Sequence, residues 1–439
     1  MSLIVTKFGG SSLADANQFK KVYAIIKENP DRRYVVPSAP GKRFPGDTKV
    51  TDMLYICYEK AAEGEDFSEN FAQIKERYNS IVRELELDLD LEPEFARIKS
   101  AFENNAGSDY AASRGEYLNG LILAKYLGFY FMDAAKCIRF NENGTFNSNF
   151  TIEKTREHLS HHENAVIPGF YGRMPNDTIK TFSRGGSDIT GSLVARAMNA
   201  DIYENWTDVD GFLVTDPRIV SNPHRIETIT YRELRELSYM GATVLHEDAI
   251  FPVRQTGIPI NIRNTNAPQN AGTMIVQDVD DAEDQKIPHI TGIAGKKGLS
   301  IISIEKAMMN QELGFGRQVL EIIEEFGISF EHLPSGIDTM SIVVDSHYVE
   351  GREEDIINAI KYGVNADTVH IENNLALIAV VGRGMRRTTG TAAKVMSAVA
   401  KKNINLRMID QGSSELNIII GVDESSLPDA IDAIYHEFY

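Results

Sequence analysis

Short apolar runs alternate with helical stripes from the start of the chain to about Val276. The chain opens on the run Leu3-Ile4-Val5, which predicts a buried strand, and an apolar stripe over residues 14–28 predicts the helix after it. Further strand-like runs lie at residues 34–36, 129–133, 164–170, 178–182, 200–206 and 258–263. Helical patterns lie at residues 53–128, 187–198, 231–239 and 248–255. This alternation predicts an α/β fold, an open and mostly parallel sheet with helices on both faces.

A second pattern begins after Asp278–Lys286, an acidic stretch poor in apolar residues that is typical of a linker. Beyond it, apolar positions repeat at a constant offset, which leads from Ile328 to Ile404 and from Ile342 to Ile418. Each copy has the order strand, loop, helix, strand, strand, helix, which predicts two ferredoxin-like βαββαβ units. Such paired repeats suggest ligand sensing, with dimerisation alone as the alternative. The expected domains are residues 1–280, 287–366 and 367–439.

Composition narrows the class of protein without indicating an activity. The chain has 439 residues, 42% of them apolar and 25% charged, as expected for two or three globular domains. A formal net charge of −18 argues against a nucleic-acid binder, although a few local Lys and Arg residues suffice for an anionic substrate. Cys57 and Cys137 are the only cysteines, and the sequence contains no apolar run of membrane-spanning length. We expect a cytoplasmic protein with no membrane or nucleic-acid partner.

The first candidate site is the corner Lys7-Phe8-Gly9-Gly10-Ser11-Ser12, between the first strand and the first helix. The backbone N–H groups of a glycine turn and the positive end of a helix dipole suit a phosphate group. Lys7 could reach the same phosphate, and Ser11 or Ser12 is predicted to cap the helix. The lysine precedes the glycines, so the pattern differs from the P-loop. An ordinary strand–turn–helix joint is the alternative.

A second glycine corner, Arg184-Gly185-Gly186-Ser187-Asp188, opens the helix predicted at residues 187–198. The strand after it ends in Thr207-Asp208-Val209-Asp210-Gly211, and acidic residues at the carboxyl end of a strand often face a ligand crevice. The spacing of an EF-hand calcium loop is absent. His158, His161 and His162 have helical spacing but no carboxylate or cysteine partner, so a solvated helix face is favoured over a metal site.

The ordered set of motifs resembles one family. It comprises Lys7–Ser12, Gly115-Glu116, Arg184–Asp188, Trp206–Gly211, Asp216-Pro217-Arg218 and Gly241–His246. The set resembles the aspartokinase (aspartate kinase) family of the amino acid kinase superfamily, and the paired repeats resemble its C-terminal ACT domains. The resemblance covers essentially the whole chain. It implies the amino acid kinase fold and ATP-dependent phosphorylation of the side-chain carboxylate of L-aspartate to 4-phospho-L-aspartate. That reaction opens the biosynthesis of lysine, threonine and methionine.

The resemblance also implies a role for each matching residue. Lys7 would stabilise the transferring phosphoryl group, Arg184 would clamp a substrate carboxylate, and Asp188 would organise the lysine. Positions implied for nucleotide binding are Lys7, Gly9, Gly10, Ser11, Thr207, Asp208, Leu213, Asp216, Arg218 and Thr243. Positions implied for aspartate binding are Ser38, Thr51, Glu116, Arg184 and Ser187. Glu116 would pair with the substrate ammonium, and Mg²⁺ would arrive with ATP, so no metal site of the protein's own is expected.

Three departures from the family pattern are visible. Extra residues follow Ser38-Ala39-Pro40-Gly41, so the substrate threonine is assigned to Thr51, with Thr48 as the alternative. Leu213 stands where tyrosine is frequent. Thr243 stands where many members have a lysine, which leaves open how the far phosphates are neutralised.

The repeats imply an amino-acid effector. The candidate effector residues are Met308, Asn310, Gly314, Phe315, Ser329 and Glu331. Glu331 favours a cationic effector, so we predict feedback inhibition by lysine, with threonine as the alternative. Edge strands of ACT units commonly pair between chains, so a homodimer is expected and a tetramer is possible. The sequence reaches Tyr439 without a dehydrogenase domain, so we expect a kinase with a single activity.

Two other functions remain open from the sequence. A related amino acid kinase could act on glutamate or N-acetylglutamate, although Glu116 and Arg184 together favour a free amino group beside a carboxylate. A catalytically inactive amino-acid sensor is the third hypothesis, and the presence of Lys7, Arg184 and Asp208 argues against it.

Overall fold

The computed structural model describes residues 2–183, 185–241, 247–279 and 289–439, with only the backbone of residues 247–250. The strands are β1 (Ile4–Phe8), β2 (Arg32–Pro37), β3 (Tyr130–Phe131), β4 (Ala165–Val166), β5 (Tyr171–Arg173), β6 (Ile179–Thr181), β7 (Ile202–Thr207), β8 (Thr228–Thr230), β9 (Ile260–Asn264), β10 (Thr273–Val276), β11 (Gly292–Glu305), β12 (Phe330–His332), β13 (Thr339–Asp345), β14 (Thr368–Val381), β15 (Met408–Asp410) and β16 (Asn417–Asp423). The helices are α1 (Ala16–Glu28), α2 (Val50–Ala62), α3 (Ser68–Glu84), α4 (Glu92–Glu103), α5 (Ser108–Leu127), α6 (Ser148–Leu159), α7 (Gly186–Met198), α8 (Tyr231–Tyr239), α9 (Glu247–Arg254), α10 (Phe315–Glu325), α11 (Glu353–Gly363), α12 (Thr391–Lys401) and α13 (Leu427–Phe438).

The described chain divides into two compact units that do not follow the predicted boundaries residue for residue. The first consists of Met1–Phe212, Arg225–Tyr231 and Val244–Val279, and the second of Leu213–His224, Arg232–Thr243 and Asp280–Tyr439. Most of the predicted linker at residues 278–286 lies outside the described residues. Within the described ranges, every helix is too short or too polar to cross a membrane.

The first unit contains an eight-stranded sheet in the order β3-β4-β2-β1-β7-β9-β10-β8. Neighbouring strands are parallel except for β9 and β10, which run antiparallel. All five residues of β1 are buried, as its apolar run predicts for a strand with neighbours on both sides. The predicted open, mostly parallel sheet is therefore confirmed.

The start of the first helix differs from the prediction. Residues Ser11–Leu13 form a short 3₁₀ turn, and α1 begins only at Ala16. The cap is Asp15, whose side chain accepts a hydrogen bond from the Gln18 backbone N–H at 3.0 Å. The prediction that a serine caps this helix was wrong, because the chain makes the 3₁₀ turn before it enters the helix. The apolar face of α1 is buried as predicted.

The second unit contains a six-stranded antiparallel sheet in the order β12-β13-β11-β14-β16-β15. The central strands β11 and β14 are long, and each forms part of both repeats. The later part of β11 pairs with β13, whereas its first residues, Gly292–Lys296, pair with the end of β14. The fourth strand of the second repeat therefore precedes the first repeat in the sequence. The predicted boundary between residues 366 and 367 lies directly before β14, the shared strand.

The offset between the repeats is not uniform. From α10 to α12 it equals the predicted offset, but from β13 to β16 it is longer by two positions. Ile342 pairs with Ile302, and its counterpart Ile420 pairs with Ile378, so the predicted match of Ile342 to Ile418 was wrong. Because side chains alternate with a period of two, such a shift leaves the apolar pattern unchanged.

Candidate active site

The candidate site lies at the carboxyl end of β1. The chain leaves β1 for β2 on one side and later returns to β7 on the other, so the direction of the strand order changes at β1. In open α/β sheets such a point forms a crevice beyond the strand ends. Phe8, Pro37 and Trp206 are in register at this edge.

Lys7 and Asp188 meet in this crevice. The Lys7 Nζ lies 2.6 Å from Asp188 Oδ1, and the two side chains are 10% and 18% exposed. Asp188 stands in the first turn of α7, where the helix dipole favours a carboxylate. Asn205, in register with Lys7 on the neighbouring strand, donates a hydrogen bond to the same Oδ1 at 2.8 Å. An ammonium is therefore held in a fixed position at the end of the central strand.

The glycine turn lies beside this ammonium. The Gly9 N–H donates to the Trp206 carbonyl at 2.9 Å, and a Cβ added at Gly9 would lie 3.7 Å from Lys7 Nζ. A Cβ at Gly10 would lie 2.9 Å from the Ala39 carbonyl, and the Gly41 N–H donates to the Gly10 carbonyl at 2.8 Å. Only glycine fits this close approach of two loops.

The loop after β2 packs against α5. The Ser38 N–H donates to the Phe8 carbonyl at 3.0 Å, and Asn119 of α5 donates from its side-chain amide to the Ser38 carbonyl at 2.7 Å. A Cβ added at Gly115 would lie 2.7 Å from Ala39 Cβ and 3.8 Å from Thr51 Oγ1. Thr51 thus lies near α5, whereas Thr48 is exposed ahead of α2.

Glu116 is a buried carboxyl group facing this loop. It accepts a hydrogen bond from the Ala39 N–H, while its Oε2 has no hydrogen-bond partner among the described residues. Burial raises the pKa of Glu116 to about 8, against the opposing charges of Arg114 and Lys7. A positively charged ligand would stabilise the ionised form of this buried carboxyl group, so Glu116 is suited to bind a cation.

Asn119 of α5 also belongs to this site, although none of the sequence motifs includes it. Its side chain is fully buried, and its Oδ1 has no hydrogen-bond partner within the part of the chain that the structure describes. It follows Glu116 by three residues, so both side chains lie on one face of α5. This spacing was the signal that could have identified it.

The second glycine corner is described in part. Gly185 adopts a left-handed conformation (φ 57°) ahead of α7, and the buried Ser187 packs closely on Gly169. Arg184, the predicted carboxylate clamp, lies outside the described residues, as does Thr243.

The remaining predicted nucleotide residues divide between the units. Thr207 ends β7 and donates to Asp208 Oδ1 at 3.1 Å. Leu213, Asp216 and Arg218 belong to the second unit, where Arg218 pairs with Asp216 at 2.6 Å while remaining 89% exposed. Their role in nucleotide binding stays a prediction.

No group of three or more metal-ligating side chains occurs within the described ranges. His162 is one of the three histidines that were weighed as metal ligands, and its ring stacks on the ring of Tyr130 with the two centroids 3.6 Å apart. Asp210 accepts hydrogen bonds from the side chains of Asn264 and Asn270.

The predicted effector residues occupy two places along β13. Met308 donates its N–H to Asp338 at 2.8 Å, near the start of β13, and Gly314 and Phe315 open α10 after this loop. Asn310 belongs to the same loop, and its N–H donates to the Ile337 carbonyl at 3.1 Å.

The other two effector residues lie toward the end of β13. Ser329 directly precedes β12, whose first residue, Phe330, pairs with Val344. Glu331 already forms an ion pair with Lys296 at 2.7 Å.

Comparisons with known proteins identify the family of this chain. The sequence profile of the amino acid kinase family matches residues 2–264, and that of the ACT domain matches residues 378–438. Aspartokinase 3 of Bacillus subtilis (strain 168) is 38% identical over 450 residues, which cover 99% of this chain and 98% of the relative. Chloroplastic aspartokinase 1 of Arabidopsis thaliana is 28% identical, with 99% of this chain and 80% of the relative covered.

Solved structures lead to the same family. The crystal structure of Clostridium acetobutylicum aspartate kinase is 52% identical, with a TM-score of 0.90 and full coverage of both chains. Escherichia coli aspartokinase III, crystallised with aspartate and ADP, shares the fold with a TM-score of 0.72 and 24% identity over 99% of both chains. The chain belongs to the aspartokinase family within the amino acid kinases, and it is a kinase of amino-acid biosynthesis that phosphorylates aspartate.

Proposed function

We propose that the crevice beyond β1 transfers the γ-phosphoryl group of ATP to the side-chain carboxylate of L-aspartate. The observation that carries this proposal is the buried Lys7 ammonium, held by Asp188 beside the Gly9-Gly10 turn. A carboxylate oxygen attacks the γ-phosphorus, the bond to the bridging oxygen breaks, and ADP leaves with 4-phospho-L-aspartate as the product. The attacking carboxylate is already ionised at neutral pH, so catalysis rests on positioning and charge neutralisation.

The residues around Lys7 and Glu116 have separate roles in this scheme. Lys7 neutralises charge on the transferring group, and Asp188 and Asn205 keep its ammonium in place. Glu116, whose Oε2 lacks a partner among the described residues, pairs with the substrate ammonium and releases its own proton to the solvent as aspartate binds. Arg184 remains our predicted clamp for a substrate carboxylate.

Mg²⁺ is expected to bind through the nucleotide. Within the described ranges the chain has no cluster of carboxylates of its own for a metal, and Asp188 is already engaged by Lys7. These residues fit a cation that is ligated by ATP phosphates, whose charge it would neutralise.

Substrate choice tests the reaction. ADP release is measured with aspartate, glutamate and N-acetylglutamate, and hydroxylamine traps any acyl phosphate as a hydroxamate. We expect turnover with aspartate to exceed the other two at least about 100-fold, because N-acetylglutamate lacks the ammonium that would pair with Glu116 and the side-chain carboxylate of glutamate extends one methylene farther. Preferred turnover of N-acetylglutamate would contradict the proposal.

We also propose feedback inhibition by lysine, at a site shared between two copies of the chain. Within one chain the loop at residues 308–315 and the residues at 329–331 lie toward opposite ends of β13, too far apart for one small amino acid. A second copy could bring the two groups together. Four apolar side chains near these two groups are strongly exposed: Met308 (60%), Leu313 (100%), Phe330 (44%) and Ile337 (69%). Exposed apolar side chains of this size favour an interface in which a second copy covers them. The likeness in fold to Escherichia coli aspartokinase III, also crystallised with lysine and aspartate, motivates the choice of effector.

Sedimentation and inhibition assays test this pair of proposals. A dimer whose inhibition by lysine disappears in a monomeric Leu313→Asp variant supports a shared site. Full lysine inhibition of a monomer, or inhibition by threonine alone, contradicts it.

A further inference from the structure

The loop between β2 and α2 contains the extra residues that follow Gly41 and precede Thr51. Arg43 and Asp47 close this segment, since the Arg43 guanidinium donates to both oxygens of the Asp47 carboxylate at 2.9 Å. The hydrogen bonds from Arg43, with a smaller contribution from Arg77, hold the pKa of Asp47 well below its usual range. The two guanidinium groups therefore stabilise the charged form of this carboxylate.

Arg77 of α3 ties this segment to the helical layer. It is 5% exposed, and its guanidinium donates to Asp47 Oδ2 at 2.9 Å and to the Gly41 carbonyl at 2.7 Å. A planar fork of donors suits this two-point contact, whereas an ammonium offers a single charge. The next residue, Tyr78, donates its hydroxyl to the Gly115 carbonyl at 2.8 Å, directly before Glu116.

The contacts continue from Arg77 to the glycine turn. Gly41 accepts from Arg77 with its carbonyl and donates with its N–H to the Gly10 carbonyl at 2.8 Å. A Cβ added at Gly41 would lie 2.7 Å from the Ser11 nitrogen, so the two backbones are in direct contact. One guanidinium thus fixes the loop that joins Ser38 to Thr51 and rests on the turn beside Lys7.

We propose that Arg77 is a positioning residue for aspartate, acting through Gly41 and Asp47 on the loop that carries Ser38 and Thr51. This inference rests on the proposed function. Releasing the loop would move the aspartate contacts more than the nucleotide contacts, because the Gly9 N–H is held separately by the Trp206 carbonyl. The expected signature is a rise in KM for aspartate with a small change in KM for ATP.

Arg77→Met tests the proposal, with Arg83→Met as the matched control. Arg83 lies on the same helix in an ion pair with Glu76, but both side chains are about two-thirds exposed (66% and 67%). We expect Arg77→Met to raise KM for aspartate about 10-fold while kcat and KM for ATP change less than about 3-fold. Arg83→Met should match the unmodified enzyme. Thermal unfolding is measured for both, so that a loss of stability is recorded separately.

Arg77→Lys keeps the test decisive if Arg77→Met does not fold. A lysine can pair with Asp47 but cannot bridge Asp47 and Gly41 with one planar group, so KM for aspartate should rise by an intermediate factor. An unchanged KM for aspartate in a folded Arg77 variant, even with a lowered melting temperature, overturns the positioning role. That result would leave the proposed function intact, which is tested instead by substitution of Lys7.

Discussion

The ammonium of Lys7 lies 2.6 Å from the carboxylate of Asp188, although one residue belongs to the central strand and the other to the first turn of α7. The pair is mostly buried, and the carboxylate also accepts a hydrogen bond from Asn205. Charge-assisted hydrogen bonds of this length fix direction as well as distance. Lys7 is therefore organised before any substrate binds, which is what electrostatic stabilisation of a transition state requires.

Asp188→Asn should lower kcat about 10- to 100-fold, since the neutral amide keeps the size of the side chain but no longer attracts the ammonium. Steady-state kinetics with saturating ATP and aspartate measure the effect. Asp177→Asn is the control, because Asp177 pairs with Arg173 at the surface and is 79% exposed. A kcat equal to that of the control would show that the pair is not needed for catalysis.

Glu116 makes aspartate binding depend on pH. Its pKa is raised to about 8, so below pH 8 the free enzyme mostly holds a neutral carboxyl group, which must lose its proton before it forms an ion pair with the substrate ammonium. We expect kcat/KM for aspartate to rise from pH 6, to reach half of its plateau near pH 8 and to level off above that pH. The same group affects stability in the opposite direction. The folded chain holds this proton more tightly than the unfolded chain, so the contribution of Glu116 to stability is present below pH 4.5 and is lost as the pH rises to about 8.

Glu116→Gln should remove that inflection and lower kcat/KM for aspartate at pH 8. Glu103→Gln is the matched control, as Glu103 is 54% exposed on α4. If Glu116→Gln retains the same rise with pH, another group titrates and the assignment of Glu116 is wrong.

Asn119→Ala should raise KM for aspartate about 10-fold, because the Ser38 carbonyl loses its buried hydrogen-bond donor. The control is Asn104→Ala, an exposed residue whose amide donates to the Ser100 carbonyl. Initial rates over a range of aspartate concentrations separate KM from kcat. A KM that matches the control would limit Asn119 to packing.

Glu331, the residue on which the prediction of a cationic effector rests, already forms an ion pair within the chain. Its carboxylate pairs with Lys296 at 2.7 Å and is 12% exposed, so a cationic effector has to replace the Lys296 ammonium. Burial, with a hydrogen bond to Glu331, raises the pKa of Tyr239 to about 12. Glu331→Gln should raise the lysine concentration for half-inhibition at least about 10-fold, with Glu325→Gln as the exposed control. Lysine sensitivity that is unchanged from the control would exclude Glu331 from the effector site.

The parts of the fold that follow from local pattern were predictable. The apolar run of β1, the stripe of α1 and the helix predicted at residues 187–198, which is α7, lie where the sequence indicated. Details that depend on neighbouring segments were not. Asp15 rather than a serine caps α1. The 3₁₀ turn that precedes Asp15 could not be predicted, because such a short turn has no distinct apolar period.

The site shows the same division. Lys7 and Asp188 were identified through ordered motifs, and the structure adds the distance between them. Arg77 and Asn119 carry no motif, since their importance comes from the backbone carbonyls that they contact. The sharing of β11 and β14 between the repeats is likewise a pairing between distant segments, which periodicity along the chain cannot reveal.

The most direct test of the account is the kinetics of Lys7→Met, measured beside Lys75→Met, which removes an ammonium from a surface ion pair with Glu92. We expect Lys7→Met to lower kcat at least about 100-fold with KM for aspartate within about 3-fold, and Lys75→Met to change neither. A near-normal kcat in Lys7→Met would contradict the claim that this ammonium stabilises the transferring phosphoryl group.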